Sequence, residues 1–216
     1  MTRGHWPALA LFGAVLVATW WDPPWPAEQA LHSSLTLVAL AALGWVHHRV
    51  GLSVRTWTWA LIFLGLHTIA ARWIYSFVPY DDWTDSLVGI RLSEVFGWHR
   101  NHFDRLVHFA YGLCLTMMLR LKPLRSLEVV LATSALYELF EWAVAITLAP
   151  DMAEAYNGQQ GDMWDPHKDM ALALLGAIVA VAVQAGTSRG SQPTPVPSGG
   201  PGWSDGPGDV RREADR

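Results

Sequence analysis

Cysteine is almost missing from this sequence: Cys114 is the only one in 216 residues. A single thiol excludes an internal disulfide and any cysteine-built metal knuckle. Set in a mostly apolar run, it reads as packing rather than as a nucleophile. Charge is scarce too, at 16% of residues against 51% hydrophobic. A formal net charge of −4 and a pI near 6.1 argue against nucleic acid as a partner. No Ser/His or Cys/His nucleophile constellation is evident, and no His-Glu-x-x-His motif or internal repeat.

What the chain has instead is apolar length. Its mean hydropathy of +0.19 is too high for an ordinary soluble domain of this size. Six segments, 6–21, 29–46, 56–74, 104–121, 127–148 and 169–186, each approach the ~20 residues needed to cross a bilayer core. The first resembles a signal peptide in placing Arg3 before an apolar stretch. It ends in Trp20-Trp21-Asp22-Pro23-Pro24 without a small-residue cleavage site, so it is expected to be a retained helix and the shortest of the six. Tryptophans mark the segment ends: Trp20, Trp21 and Trp25 close the first, Trp45 ends the second, Trp57 and Trp59 open the third and Trp73 ends it. Indole rings favour the headgroup level, where an apolar body and a polar N–H are both satisfied. The sequence therefore predicts an all-α, multi-pass bundle of about six transmembrane helices.

Loop charge orients the bundle. Arg49 and Arg55 flank one connection, and Arg120, Lys122 and Arg125 another. Alternate loops carry Asp22 and Glu28, then Asp81, Asp82, Asp85 and Glu94, then Asp151, Glu154, Asp162 and Asp165. Basic loops stay cytoplasmic, so both termini are expected there. Two outer loops are long, and the first is expected to hold a short interfacial helix around Leu87–Phe96. Residues 1–186 form the expected transmembrane domain. The Gly/Pro/Ser-rich remainder, 187–216, is too polar to bury a core and is expected to be disordered.

Polar residues inside these segments are costly, on the order of 2.5–3.5 kcal/mol for an unpaired charge near the bilayer centre. They recur nonetheless. In "RNHFDRLVHFAYGL" (100–113), Asp104 and His108 lie four residues apart on one helical face, and Tyr111 continues it. In "YELFEW" (137–142), Glu138 and Glu141 share a face at a spacing of three. The last segment opens with Asp169, just after Asp162, Asp165 and His167. At 1.5 Å per residue Glu141 lies about 10 Å, Glu138 about 15 Å and His108 about 6–8 Å below the outer helix ends. All are expected to converge in the outer half of the bundle, with Asn101, His102 and Arg105 completing the polar set. Bland readings stand beside this one. Asp104 and Arg105 could pair locally at an interface, His67 could bond a neighbouring helix, and His47 and His48 read as surface residues.

Taken together, "RNHFDRLVHFAYGL", "YELFEW" and "GQQGDMWDPHKDMALALLGA", in this order, resemble the YjdF-type bacterial inner-membrane proteins. With the upstream "HTIAARWIYSFVP", the likeness covers roughly residues 30–185. It implies membrane location and a role not yet characterised. A more distant likeness is to the VanZ-like membrane proteins, on Asp104, Arg105, His108 and Glu138. There Tyr111 falls one residue early, Glu141 replaces a Gln, and Asp169 and Gly176 keep a different spacing. That second likeness implies envelope lipid or glycopeptide physiology.

Three functions remain open from sequence. His108, Glu138 and Glu141, with Asp104 and Asp169, could bind a divalent metal (Zn, Mn or Fe) or act as acid–base groups in an intramembrane enzyme for a lipid-linked or envelope substrate. The same acids could relay protons in a small ion-coupled transporter. The cluster could also simply lock the helices of an envelope scaffold.

Overall fold

Prolines and glycines punctuate the chain into helices whose ends follow local chemistry. The computed structural model describes residues 2–148 and 158–189. After a 3-10 turn at Arg3–His5 come α1 (Trp6–Thr19), α2 (Pro26–Val50) and α3 (Val54–Arg72). Then follow α4 (Tyr80–Val88), α5 (Leu92–Phe96), α6 (Phe103–Leu119), α7 (Pro123–Leu148) and α8 (Asp165–Arg189). No strand occurs among the described residues. Pro26 and Pro123 sit at first helical positions, where a missing N–H costs nothing. Gly51, at φ +70, ends α2 in the left-handed conformation that glycine adopts without penalty. Ser53 caps α3 by accepting the Thr56 N–H at 3.1 Å.

The six predicted segments each appear as one helix. Three of them, Pro26–Val50, Pro123–Thr147 and Asp165–Thr187, are long and apolar enough to cross a membrane. The others are α1 with 14 residues, α3 with 19 and α6 with 17. The single interfacial helix expected around Leu87–Phe96 is two helices instead, because Gly89 at φ +69 stops α4 and Arg91, in extended backbone, starts α5. Helix α8 runs to Arg189, and the expected tail lies, from residue 190 onward, outside the described residues.

Packing orders the helices laterally. Helix α6 lies between α3 and α8; α1 and α2 flank α3; and α7 covers α8 and α6. Phe12, Leu43, Trp57 and Leu61 tie α1, α2 and α3 together near one end. Tyr75, Val78, Tyr80, Phe103 and Val107 fill the other end beneath the α3–α4 connection. Arg72 closes α1: its guanidinium donates to the Thr19 and Trp21 carbonyls at 2.8 Å each and to that of Asp22 at 3.1 Å. These carbonyls, at and just beyond the end of α1, have no partner within the helix. His47 is not the surface residue expected. Its ring packs 5.0 Å from His5 and 5.2 Å from Trp57.

The α6–α8 crossing fixes the site. A Cβ on Gly112 would lie 1.7 Å from the Ala173 carbonyl oxygen, and one on Gly176 would lie 2.0 Å from that of Phe109. With Ala173, Ala177 and Ala180 buried on the same helix, α8 presents a seam of small residues that lets two backbones touch. Lipid supplies no hydrophobic force between helices, so such close van der Waals contact is what holds them. Away from the seams the exterior is apolar: Leu11, Val38, Leu136 and Leu139 are all more than 60% exposed.

Candidate metal centre

Asp104 and His108 stand one turn apart near the start of α6, with Asp104 Oδ1 3.4 Å from His108 Nε2. On its other side, His108 Nδ1 lies 3.6 Å from Glu138 Oε1 of α7. Asp169, in the second turn of α8, closes the first group. One ligand-type atom from each of Asp104, His108 and Asp169 lies within 4.8 Å of the others, and the same holds for His108, Glu138 and Glu141. Two donors at about 2.2 Å from one ion lie at most ~4.4 Å apart, so small rotamer adjustments would close either group on a cation. Tyr137, one turn before Glu141, donates to Glu141 Oε1 at 3.5 Å, and its ring meets the edge of His108.

All five residues are buried or nearly so. Yet Asp104 Oδ2, Asp169 Oδ1 and Glu138 Oε1 accept no hydrogen bond from the described residues. A buried oxygen left without a donor is costly, so each one needs an explanation. The backbone of Gly158 presses on the first of them. At φ +70, a Cβ there would stand 2.7 Å from Asp104 Oδ2.

Outside this cluster lies a layer of ion pairs. Arg105 Nη2 donates to Asp162 Oδ2 at 2.6 Å and approaches Asp165 Oδ1 at 3.4 Å. Local pairing of Arg105 with Asp104, one of the sequence readings, is therefore not what forms. Arg100 donates to Asp165, to the Gln159 carbonyl at 3.0 Å and to the Gly158 carbonyl at 2.6 Å. Lys168 adds a bond to Asp162 Oδ2 at 2.6 Å. Asn101 stitches the loops, its N–H donating to Gln160 Oε1 and its amide to the Val78 carbonyl.

Two groups of this layer, both outside the spanning segments, have displaced pKa values. The Lys168 hydrogen bond, helped by the Trp164 N–H and Arg105, holds Asp162 at about 2 against its partial burial. The stability this contributes is complete above the ordinary value of 3.8 and is lost as pH falls through about 2. Burial, and then the charges of Arg105 and Arg100, lower His102 to about 4. It is neutral in the folded protein at pH 7, and its contribution fades as pH falls from 6.5 toward 4. Its ring stacks on Trp98 at 4.4 Å.

Of the residues singled out from sequence, Asp104, His108, Glu138, Glu141 and Asp169 come together, and Asn101, His102, Arg105, Asp162 and Asp165 form the layer above. Two do not join. Tyr111 donates to Thr133 Oγ1 at 2.6 Å and lines a cavity that shares His108 and Tyr137 with the site. His167 is exposed and packs against Trp164. Sequence reasoning passed over Arg100, Gly158 and Tyr137. Only Arg100 carried a signal, as a cation next to Asn101 with acids in the loops to answer it. A cavity of about 410 Å³, lined by Glu138, Glu141, Gln159, Met163 and Asp165, reaches the cluster from the α7–α8 side.

A helical bundle with an apolar exterior and ionisable groups gathered inside it is the architecture of a membrane protein with an internal polar site. The chain belongs to the family described as Predicted membrane protein (DUF2238), whose profile matches residues 4–190. It is similar to the inner membrane protein YjdF of Escherichia coli (strain K12), at 34% identity over 138 residues. That match covers 57% of this chain and 62% of the length of YjdF, less than two thirds of it. No solved structure matches. The family and this relative make the chain an inner-membrane protein.

Proposed function

We propose that the cluster binds one divalent cation (Zn, Mn or Fe) through Asp104, Nε2 of His108 and Asp169, and that the protein is an intramembrane metal-dependent enzyme acting on a lipid-linked or envelope substrate. The observation that carries this is the set of buried carboxylate oxygens around one imidazole that accept no hydrogen bond from the described residues. Two of them, on Asp104 and Asp169, belong to the same three-residue group, which favours that group as the ligands. Glu138, facing the opposite ring nitrogen, would then hold His108 in orientation, as a carboxylate commonly does behind a metal-bound histidine. Glu141 beside Tyr137 faces the outer cavity and would serve as the acid–base group. A cation there would polarise a substrate oxygen or lower the pKa of bound water.

The surrounding bundle is read as six spans with both termini cytoplasmic. The loop-charge alternation supports this, as does the formation of one helix from each apolar segment.

Metal analysis tests the site. Wild-type protein, purified without chelator after growth with Zn, Mn and Fe supplied, is expected to retain near-stoichiometric metal. Asp104→Asn and Asp169→Asn should lose it yet stay folded, because a neutral amide is cheaper to bury than an unpaired carboxylate. Glu138→Gln should weaken affinity roughly 10–100-fold, as removing a supporting carboxylate does. Metal-free wild-type protein would overturn the proposal in favour of a structural lock.

A further inference from the structure

A second cavity, of about 420 Å³, lies between α2, α3, α6 and α7 and touches the candidate site from within. His108 and Tyr137 form part of its wall. The rest is mostly apolar, with Ala39, Phe63, Leu64 and Val107 facing inward. Its volume falls in the ~300–1,000 Å³ range of ligand sites. A neighbouring cavity of about 400 Å³ shares Ala39, Phe63, Leu64 and Tyr111 with it and continues to Met118 and Leu119. From His108 to Leu119 the path follows about 16 Å of helix. That length is close to half of a ~30 Å hydrocarbon core, the depth one leaflet gives a lipid chain.

The cavity opens sideways. Helices α2 and α7 meet where Ala145 packs on Leu31, but deeper along them Val38 and Leu136 line the cavity and are 66% and 65% exposed. This slot faces the apolar exterior that the bilayer covers.

Two wall residues narrow the identity of an occupant. Helical Ser and Thr hydroxyls usually bond back to the carbonyl one turn earlier. Thr68 and Thr133 do so, at 2.7 and 2.6 Å. Thr36 and Ser134 both line the cavity, and their hydroxyl oxygens, buried within its wall, have no partner among the described residues. A turn about χ1 would bring either hydroxyl into the cavity, where an ester or amide carbonyl could accept its hydrogen bond and plain hydrocarbon could not.

We propose that this cavity holds the acyl chain of an ester- or amide-linked lipid, entering between α2 and α7, with its carbonyl at Thr36 and Ser134 and its polar head at the His108 cluster. The inference names the substrate class for the site proposed above and rests on that reading.

The test is photo-crosslinking of the full-length protein in phosphatidylethanolamine/phosphatidylglycerol vesicles. The probes are a phospholipid with a mid-chain diazirine on its acyl group and, separately, a diazirine-bearing farnesyl phosphate. The acyl probe is expected to label Leu64 and Val107, which are only 6% and 4% exposed and closed to bulk lipid. Ala39→Trp should remove that label by filling the cavity, and Leu136→Trp by plugging the slot. Labelling of lipid-facing Leu139 should persist in both. Joint Thr36→Val and Ser134→Ala should reduce acyl labelling inside and leave farnesyl labelling unchanged. Acyl label confined to lipid-facing residues would overturn the proposal, as would interior labelling by farnesyl phosphate alone. Metal content of the same preparation separates the two readings. Bound metal without interior label defeats the acyl assignment only, and interior label in metal-free protein supports it while defeating the metal site.

Discussion

At Gly158, one hydrogen atom decides where a carboxylate can sit. Its φ of +70 would cost any L-residue about 1–2 kcal/mol, and its missing side chain leaves room for Asp104. Gly158→Ala is therefore expected to lower thermal stability modestly. Its larger effect should be on metal content, because the atom in the way is the end of a mobile side chain rather than backbone. Full metal occupancy at unchanged stability would mean that the contact does not matter. The convergence of the acids was legible in the sequence, since Glu138, Glu141 and His108 are costly in a span unless they face one another inside the bundle. The role of Gly158 was not. A glycine in a polar loop signals a turn, and nothing in local sequence says which distant side chain the turn approaches.

Between elements, the decisive contact is the seam of α6 and α8. A side chain on Gly176 would strike the Phe109 carbonyl and the Leu113 nitrogen, backbone atoms that cannot swing aside. Gly176→Leu should cost well beyond the ~1–3 kcal/mol of ordinary overpacking and should part Asp169 from Asp104. Gly186, on the same helix, has nothing within 4 Å of its would-be Cβ, so Gly186→Leu serves as the control. Equal melting temperatures for the two variants in detergent would refute the seam. Helix positions were readable because hydrophobic length and terminal Pro and Gly are local properties. The split of the outer loop into α4 and α5 was missed because composition does not say whether Gly89 sits inside a helix or ends it. The partner of Arg105 was missed for a similar reason, since Asp162 is distant in sequence and adjacent only once α6 and α8 cross.

For the whole molecule, orientation is the testable property. In a Cys114→Ala background, Met163→Cys should react with an impermeant maleimide added to intact cells, with any outer membrane permeabilised. Lys122→Cys should stay protected until the inner membrane is opened. Met163 is 73% exposed and Lys122 is exposed as well, so access rather than burial sets the result. The opposite pattern would put the ion-pair layer and the cluster at the cytoplasmic face. Loop charge made this expectation available from sequence, because the bias acts on segments a few residues long and needs no knowledge of packing.

The layer formed by Arg100, Arg105 and Lys168 with Asp162 and Asp165 also has a kinetic meaning. It sets three cationic side chains between the buried acids and the water outside. For an ion held at Asp104 and Asp169 as proposed, departure through this face would require several ion pairs to part, leaving the cavity beside Glu138 and Glu141 as the easier route. Dwell time and affinity then become separate properties, and a chelator reports how often a route opens rather than how tightly the ion is bound. If such openings are rare, an ion seated while the helices assemble would exchange slowly, and loading would be decided early in the life of the protein.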